Sequence, residues 1–213
     1  MFNFDIMHIL IGALMVFTVF PVRQYARNWM AVKMGDNTPI LEGKLTLNPL
    51  AHVDPIGCIF MILIGLGWGR SASINPSNFK CKNRKLGMIA VALAGPVSNI
   101  LFAFVMALVV IIGDHFGMSP VLVEIFSYIT ILNINLAVFL LLPVPGFDGG
   151  DILMQFLPAK VIWKVAKYFQ YISLAMILLL CFGPLRSVVS FLAMYVYKGV
   201  MIAAALLAGL FIR

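Results

Sequence analysis

Apolar residues in this chain come in long runs separated by short polar breaks. The first run is Ile6 to Pro21, and Arg23 to Trp29 extends it as the polar end of one helix. Lys33-Met34-Gly35-Asp36-Asn37-Thr38-Pro39 then stops that helix with Gly, Asn and Pro. Leu41, Gly43, Leu45 and Leu47 alternate, which predicts a short strand from Ile40 to Leu47, ended by Asn48-Pro49. Pro55 to Trp68 is apolar but short and carries Gly57, Gly65 and Gly67, so a re-entrant or interfacial segment is expected there. Leu86 to Ile112 and Val121 to Leu142 are long enough to span a bilayer. A kink is predicted at Gly95-Pro96 and a tight loop at Asp114-His115. Lys160, Lys164 and Lys167 fall opposite Val161, Ile162 and Val165, which predicts an interfacial amphipathic helix over 151–168. Phe169 to Phe182 and Ser187 to Ile212 predict a hairpin of two spans, with Lys198 snorkelling or facing a polar neighbour.

Composition agrees with that pattern. Of 213 residues, 62% are hydrophobic and only 11% charged, against about 25% charged in a soluble domain. The expected fold class is an all-α polytopic integral membrane protein with one short membrane-associated β segment. It forms a single domain over 1–213: a core at 6–150, the amphipathic helix at 151–168, and a C-terminal helical hairpin at 169–213. The net charge of +7 sits in loops, with no basic segment interleaved with aromatics on a soluble surface. That excludes nucleic acid as a partner and leaves the lipid bilayer. Cys58, Cys81 and Cys181 show no C-x-x-C spacing, so neither a disulfide framework nor a cysteine zinc site is expected.

Parity and charge set the topology. If Pro55 to Trp68 does not cross, the chain has five spans. One side then holds Arg23, Arg27, Lys33, Lys44, Arg70, Lys80, Lys82, Arg84, Lys85, Lys160, Lys164 and Lys167, and the other holds Arg186 alone. With six spans the basic residues divide between both sides. The positive-inside rule favours five, in a plasma (inner) membrane, with the N-terminus outside and the C-terminus cytoplasmic. The Arg23 end of the first span and Asp148 then lie on the same side.

Several motifs in order carry a resemblance. They are Val22-Arg23-Gln24-Tyr25-Ala26-Arg27-Asn28-Trp29, Lys33-Met34-Gly35-Asp36 and Leu45-Thr46-Leu47-Asn48-Pro49-Leu50-Ala51-His52-Val53-Asp54-Pro55-Ile56-Gly57. They continue with Val91-Ala92-Leu93-Ala94-Gly95-Pro96-Val97-Ser98-Asn99, Asn135-Leu136-Ala137-Val138-Phe139, and Leu142-Pro143-Val144-Pro145-Gly146-Phe147-Asp148-Gly149-Gly150. Across roughly residues 10–155 the chain resembles the site-2 protease family of intramembrane zinc metalloproteases. The resemblance implies a three-helix core, a zinc cofactor held by H-E-x-x-H on the first core helix and an aspartate on the third, and cleavage of membrane segments of partner proteins.

The departures fall on the chemistry. Arg23 stands at the first His position, Gln24 at the Glu, and Arg27 at the second His; Asp148 alone is retained, as a vestigial ligand. Leu140 stands where the family often has Asn before its Pro-x-Pro run. Guanidinium offers no lone pair to a metal, and an amide cannot accept the proton of a metal-bound water. No metal and no catalytic residue are therefore expected. Arg23 and Arg27 either pair with Asp148 in place of zinc or face water and lipid phosphates at the interface.

Other candidates are weaker. By the resemblance, Asn99, Asn135, Pro143 and Pro145 line a substrate cleft; helix–helix hydrogen bonding serves Asn99, Asn133 and Asn135 equally well. His52 and Asp54 flank a turn, where capping is the simpler role. His8 suits a core or interface position, and His115 a solvated loop. The expected function is that of a catalytically inactive site-2-protease-like protein. It would bind transmembrane or juxtamembrane client segments as a scaffold or regulator, with an active relative as a second partner. The rival is an active metalloprotease with a non-standard site built from His52, Asp54 and Asp148. A small transporter is a third class, but the outer half offers few polar residues for a path.

Overall fold

The computed structural model describes residues 15–55, 69–168 and 185–212, together with Ala13, Gly57, Ile59, Tyr171, Ile172, Ala175 and Leu179. A π-helical turn, Met15–Val19, leads into α1, Phe20–Met34. Then follow a single turn α2 (Thr38–Leu41), the long α3 (Arg84–His115), α4 (Pro120–Leu140), α5 (Asp148–Met154), α6 (Ala159–Lys167) and α7 (Leu185–Ala208). Among the described residues there is no strand.

Three described helices are long and apolar enough to cross a membrane: Arg84–His115, Pro120–Leu140 and Ser187–Ala208. At about 1.5 Å per residue, α3 is roughly 48 Å long and exceeds a hydrocarbon core of about 30 Å. Its polar start is capped by the Asn83 side chain, which accepts from the backbone N–H groups of Lys85 and Leu86. The helix runs unbroken through Pro96, and the Ser98 hydroxyl donates to the Gly95 carbonyl at 2.7 Å. It also continues to His115, so the expected loop at Asp114-His115 is the helix end, and the turn falls at Gly117 in the left-handed region.

The core is made by α3 packed against α1, α4, α5 and α7. Ala103 and Ala107 on α3 and Ala193 and Ala204 on α7 are all nearly inaccessible. Small residues let helix backbones approach closely where lipid supplies no hydrophobic drive between helices. Val19, Phe20, Ile134, Leu136 and Phe139 fill the space beside them.

Two expectations are corrected by the local chemistry. The strand expected over Ile40 to Leu47 is not formed. The backbone N–H groups of Ile40, Leu41, Glu42, Gly43 and Lys44 all donate to carbonyls three to five residues back, at 2.8–3.1 Å. Pro39 preset the first helical turn, and the alternation of Leu41, Leu45 and Leu47 did not decide the backbone. The single amphipathic helix expected over 151–168 is two helices. Pro158 disfavours helical geometry at Leu157, so α5 ends at Met154 and α6 begins at Ala159. Most of Pro55 to Trp68, most of Phe169 to Phe182, and His8 lie outside the described residues.

The end of α1 is held by one carboxylate. Gly35 takes φ 111°, and the N–H groups of Gly35 and Asp36 return to the Val32 and Ala31 carbonyls, closing a Schellman cap. Asp36 is fully buried and accepts from Thr38 N–H (3.1 Å), Thr38 Oγ1 (2.6 Å), Asn75 N–H (2.7 Å) and Asn78 Nδ2 (2.8 Å). Burial acts to raise its pKa, but the hydrogen bonds from Thr38, Asn78 and Asn75 outweigh burial and hold it below the usual carboxylate range. A depressed folded-state pKa adds stability that is present above the unfolded value, about 3.9, and fades as pH falls through the folded value. Asp36→Asn should therefore lose about 1.5–3 kcal/mol at neutral pH. Its deficit against the native chain should close on acidification below about pH 4, as measured by unfolding midpoints in detergent across pH.

Candidate functional site

The face of α1 toward α3 and α5 is polar. Arg23 and Arg27, one turn apart, are 8% and 9% exposed, and Gln24 and Asn28 beside them are inaccessible. Asp148, the first residue of α5, is 1% exposed and receives both guanidinium groups. Arg23 Nη2 donates to Asp148 Oδ2 at 2.5 Å, and Arg27 Nη1 donates to Asp148 Oδ1. Arg27 Nη2 continues to Asp151 Oδ2 at 2.6 Å. Two cations thus meet two carboxylates, and each Asp148 oxygen is taken by a different arginine. Both arginine side chains are turned inward onto carboxylates.

Glycines make the approach possible. A Cβ on Gly95 would stand 3.3 Å from Arg23 Nε and from Asp148 Oδ2, so α3 lies directly against the ion pair. A Cβ on Gly149 would stand 2.1 Å from the Leu141 carbonyl oxygen, and one on Gly150 1.9 Å from that of Val144. The start of α5 is therefore pressed onto the turn that ends α4, and that fit aims Asp148 at α1. Gly150→Ala should lower stability by about 1–3 kcal/mol or more and loosen the Arg–Asp148 pair, measured by unfolding midpoints and by protease accessibility of the 141–150 turn.

Gln24 points elsewhere. Its Nε2 donates to the Gly69 carbonyl at 3.3 Å and its Oε1 accepts from Ser71 Oγ at 3.0 Å. It ties α1 to the 69–71 loop, while Asn28 Nδ2 ties it to the Lys44 carbonyl at 2.7 Å.

The remaining candidates are dispersed. His52 is buried, its Nε2 2.7 Å from the Thr46 carbonyl. Asp54 accepts from the Gly57 N–H at 2.8 Å and lies 3.8 Å from Arg70. Among the described residues no three of His, Cys, Asp and Glu gather where a metal could be held, so His52, Asp54 and Asp148 do not form the alternative site. Asn99 is 1% exposed with neither amide atom hydrogen-bonded, and Asn133 donates to the Ile129 carbonyl while its Oδ1 is unpaired. Asn99 follows Gly95 by four residues on the same face of α3. Asn135 and Pro145 are half-buried, Pro143 is exposed, and His115 is exposed. Asp151 and Gly95 were not anticipated as site residues. Asp151 lies three residues after Asp148, on the same helical face, and that spacing was the available signal.

Comparison with known proteins adds two findings. The model of a family described as "Peptidase family M50" matches residues 113–180. The chain is 36% identical over 176 residues to "Putative zinc metalloprotease YwhC" of Bacillus subtilis (strain 168), covering 80% of this chain and 79% of the relative. No solved structure matches.

Proposed function

From the premise that the chain belongs to the site-2 protease family, we propose that it is a non-catalytic member that holds a transmembrane or juxtamembrane client segment without cutting it. One observation carries this reading: the carboxylate that would hold zinc has both oxygens hydrogen-bonded to Arg23 and Arg27. The donor set does not fit the metal. Neither guanidinium has a lone pair, and Gln24 is an amide turned toward Gly69 and Ser71. A unit charge about 4 Å from a dication adds roughly 8 kcal/mol of repulsion at an effective dielectric of 20, and two such charges stand here. The ion-pair cluster takes over the metal's structural task of joining α1 to α5.

The three apolar helices and the family make the chain an integral membrane protein. We place it in a plasma (inner) membrane, and on the five-span reading the one-sided basic residues support an N-terminus outside and a C-terminus in the cytoplasm. Client binding draws support from Asn99, whose unpaired donors and acceptor lie buried one turn from the cluster. An extended peptide has unsatisfied backbone groups of that kind.

Metal content and cleavage test the proposal together. Native protein purified without chelator should carry no stoichiometric zinc. A photo-crosslinker at Pro143 should capture reconstituted membrane segments intact. Stoichiometric zinc, together with a cleavage product that a chelator abolishes, would overturn the reading in favour of an active enzyme.

A further inference from the structure

Lys198 is the charge that the cluster does not explain. It lies near the centre of the Ser187–Ala208 span, about 16 Å from one end and 15 Å from the other at 1.5 Å per residue. Five single bonds of about 1.5 Å carry its ammonium roughly 6 Å, well short of either end of that span. The side chain is exposed. It lies on an outward stripe with Phe191, Tyr195, Ile202 and Leu206, all exposed, while Val189, Ala193, Val200 and Ala204 on the opposite face are buried. The Tyr195 ring, 5.8 Å from the ammonium, is a weak partner for a charge in hydrocarbon. Among the described residues no carboxylate pairs with it.

We propose that the outward face of α7 docks a membrane helix of another protein that carries an Asp or Glu near mid-depth, with Lys198 as its counter-charge. A lone charge at the bilayer centre is costly, and a carboxylate from a neighbouring helix is the group that relieves it. Gly199 adjoins the lysine, and a Cβ there would meet nothing within 4 Å, which leaves room for a partner backbone. A second copy of this chain does not supply the carboxylate. Asp148 and Asp151 are engaged by arginines, and Asp36, Glu42 and Asp54 lie outside the long helices. Asp114 lies at the end of α3, and Glu124 lies four residues into α4, about 6 Å from its end. Asp5 precedes the first apolar run. The inference does not depend on whether zinc is bound.

The test uses the full chain in phosphatidylcholine vesicles with labelled leucine–alanine transmembrane peptides that differ only in a central Glu, Gln or Leu, read by energy transfer. The Glu peptide should associate roughly tenfold or more tightly than the other two. Lys198→Met should remove that preference, and Lys198→Glu should transfer it to a peptide with a central Lys. Equal association of the three peptides, or a Glu preference that survives Lys198→Met, would overturn the proposal. Self-association of the native chain that Lys198→Met abolishes would also overturn it, by making a second copy the occupant. Loss of the preference in vesicles containing phosphatidylglycerol would overturn it by assigning the lysine to lipid phosphate.

Discussion

Asp148→Asn should cost the protein about 3–5 kcal/mol of stability, seen as a large drop in the thermal or denaturant midpoint in detergent. The asparagine keeps the shape of the side chain and removes its charge. Arg23, 8% exposed, then has no carboxylate, while Arg27 keeps Asp151. The penalty is that of an unpaired charge in a site with little water, which exceeds the loss of one hydrogen bond. The order of single substitutions follows from the same geometry. Arg27→Met strips a partner from both Asp148 and Asp151, so it should cost more than Arg23→Met, which leaves Asp148 paired with Arg27. Removing the charges together should behave differently. In Arg23→Met/Arg27→Met/Asp148→Leu no buried charge of the central three is left, and such replacements are often neutral or stabilising by about 1–4 kcal/mol. A triple variant as unstable as the sum of its singles would mean that α1 and α5 are held by packing specific to these side chains, and the ion-pair account would fail.

The pairing was one of two readings that the chain left open. Two arginines four apart at the end of one apolar run, and a lone aspartate at the end of another, have few ways to avoid burying unpaired charge. The spans at α3, α4 and α7 were legible for the plain reason that their apolar runs are long. What was illegible lies where two local rules compete. Leu41, Leu45 and Leu47 alternate like a strand, yet Pro39 and the hydrogen bonds that Thr38 donates to Asp36 start a helical turn before the alternation can act. Gly95 reads in the chain only as part of a proline bend, yet it also serves close contact with Arg23 and Asp148. The demand for glycine at Gly149 and Gly150 comes from the carbonyls of Leu141 and Val144, a tertiary contact that no local pattern announces. The spacing of Asp151 from Asp148 was visible in the chain, but its pairing with Arg27 needs α1 and α5 placed side by side.

Placing the family's metal-binding residue types at positions 23, 24 and 27 should create a zinc site. Arg23→His/Gln24→Glu/Arg27→His puts two imidazoles one turn apart on the α1 face that already meets Asp148, the three-ligand pattern of a catalytic zinc site with one open position. The change removes both cations that repel a dication and frees both Asp148 oxygens. It also leaves Asp151 without Arg27, and a carboxylate beside an imidazole is the usual outer partner that orients a metal-bound histidine. The variant purified in zinc-containing buffer should retain about one zinc per chain, while the native chain under the same conditions retains none. Adding Asp148→Ala to the variant should abolish that retention. On the proposed non-catalytic reading, the outcome separates two causes. Zinc binding by the triple variant would show that the fold around the site suits a metal and that the donor residues alone set the native chain apart. A triple variant that folds yet takes up no zinc would show that the approach of α5 to α1, set by Gly95, Gly149 and Gly150, has been refitted to guanidinium groups and no longer suits a metal.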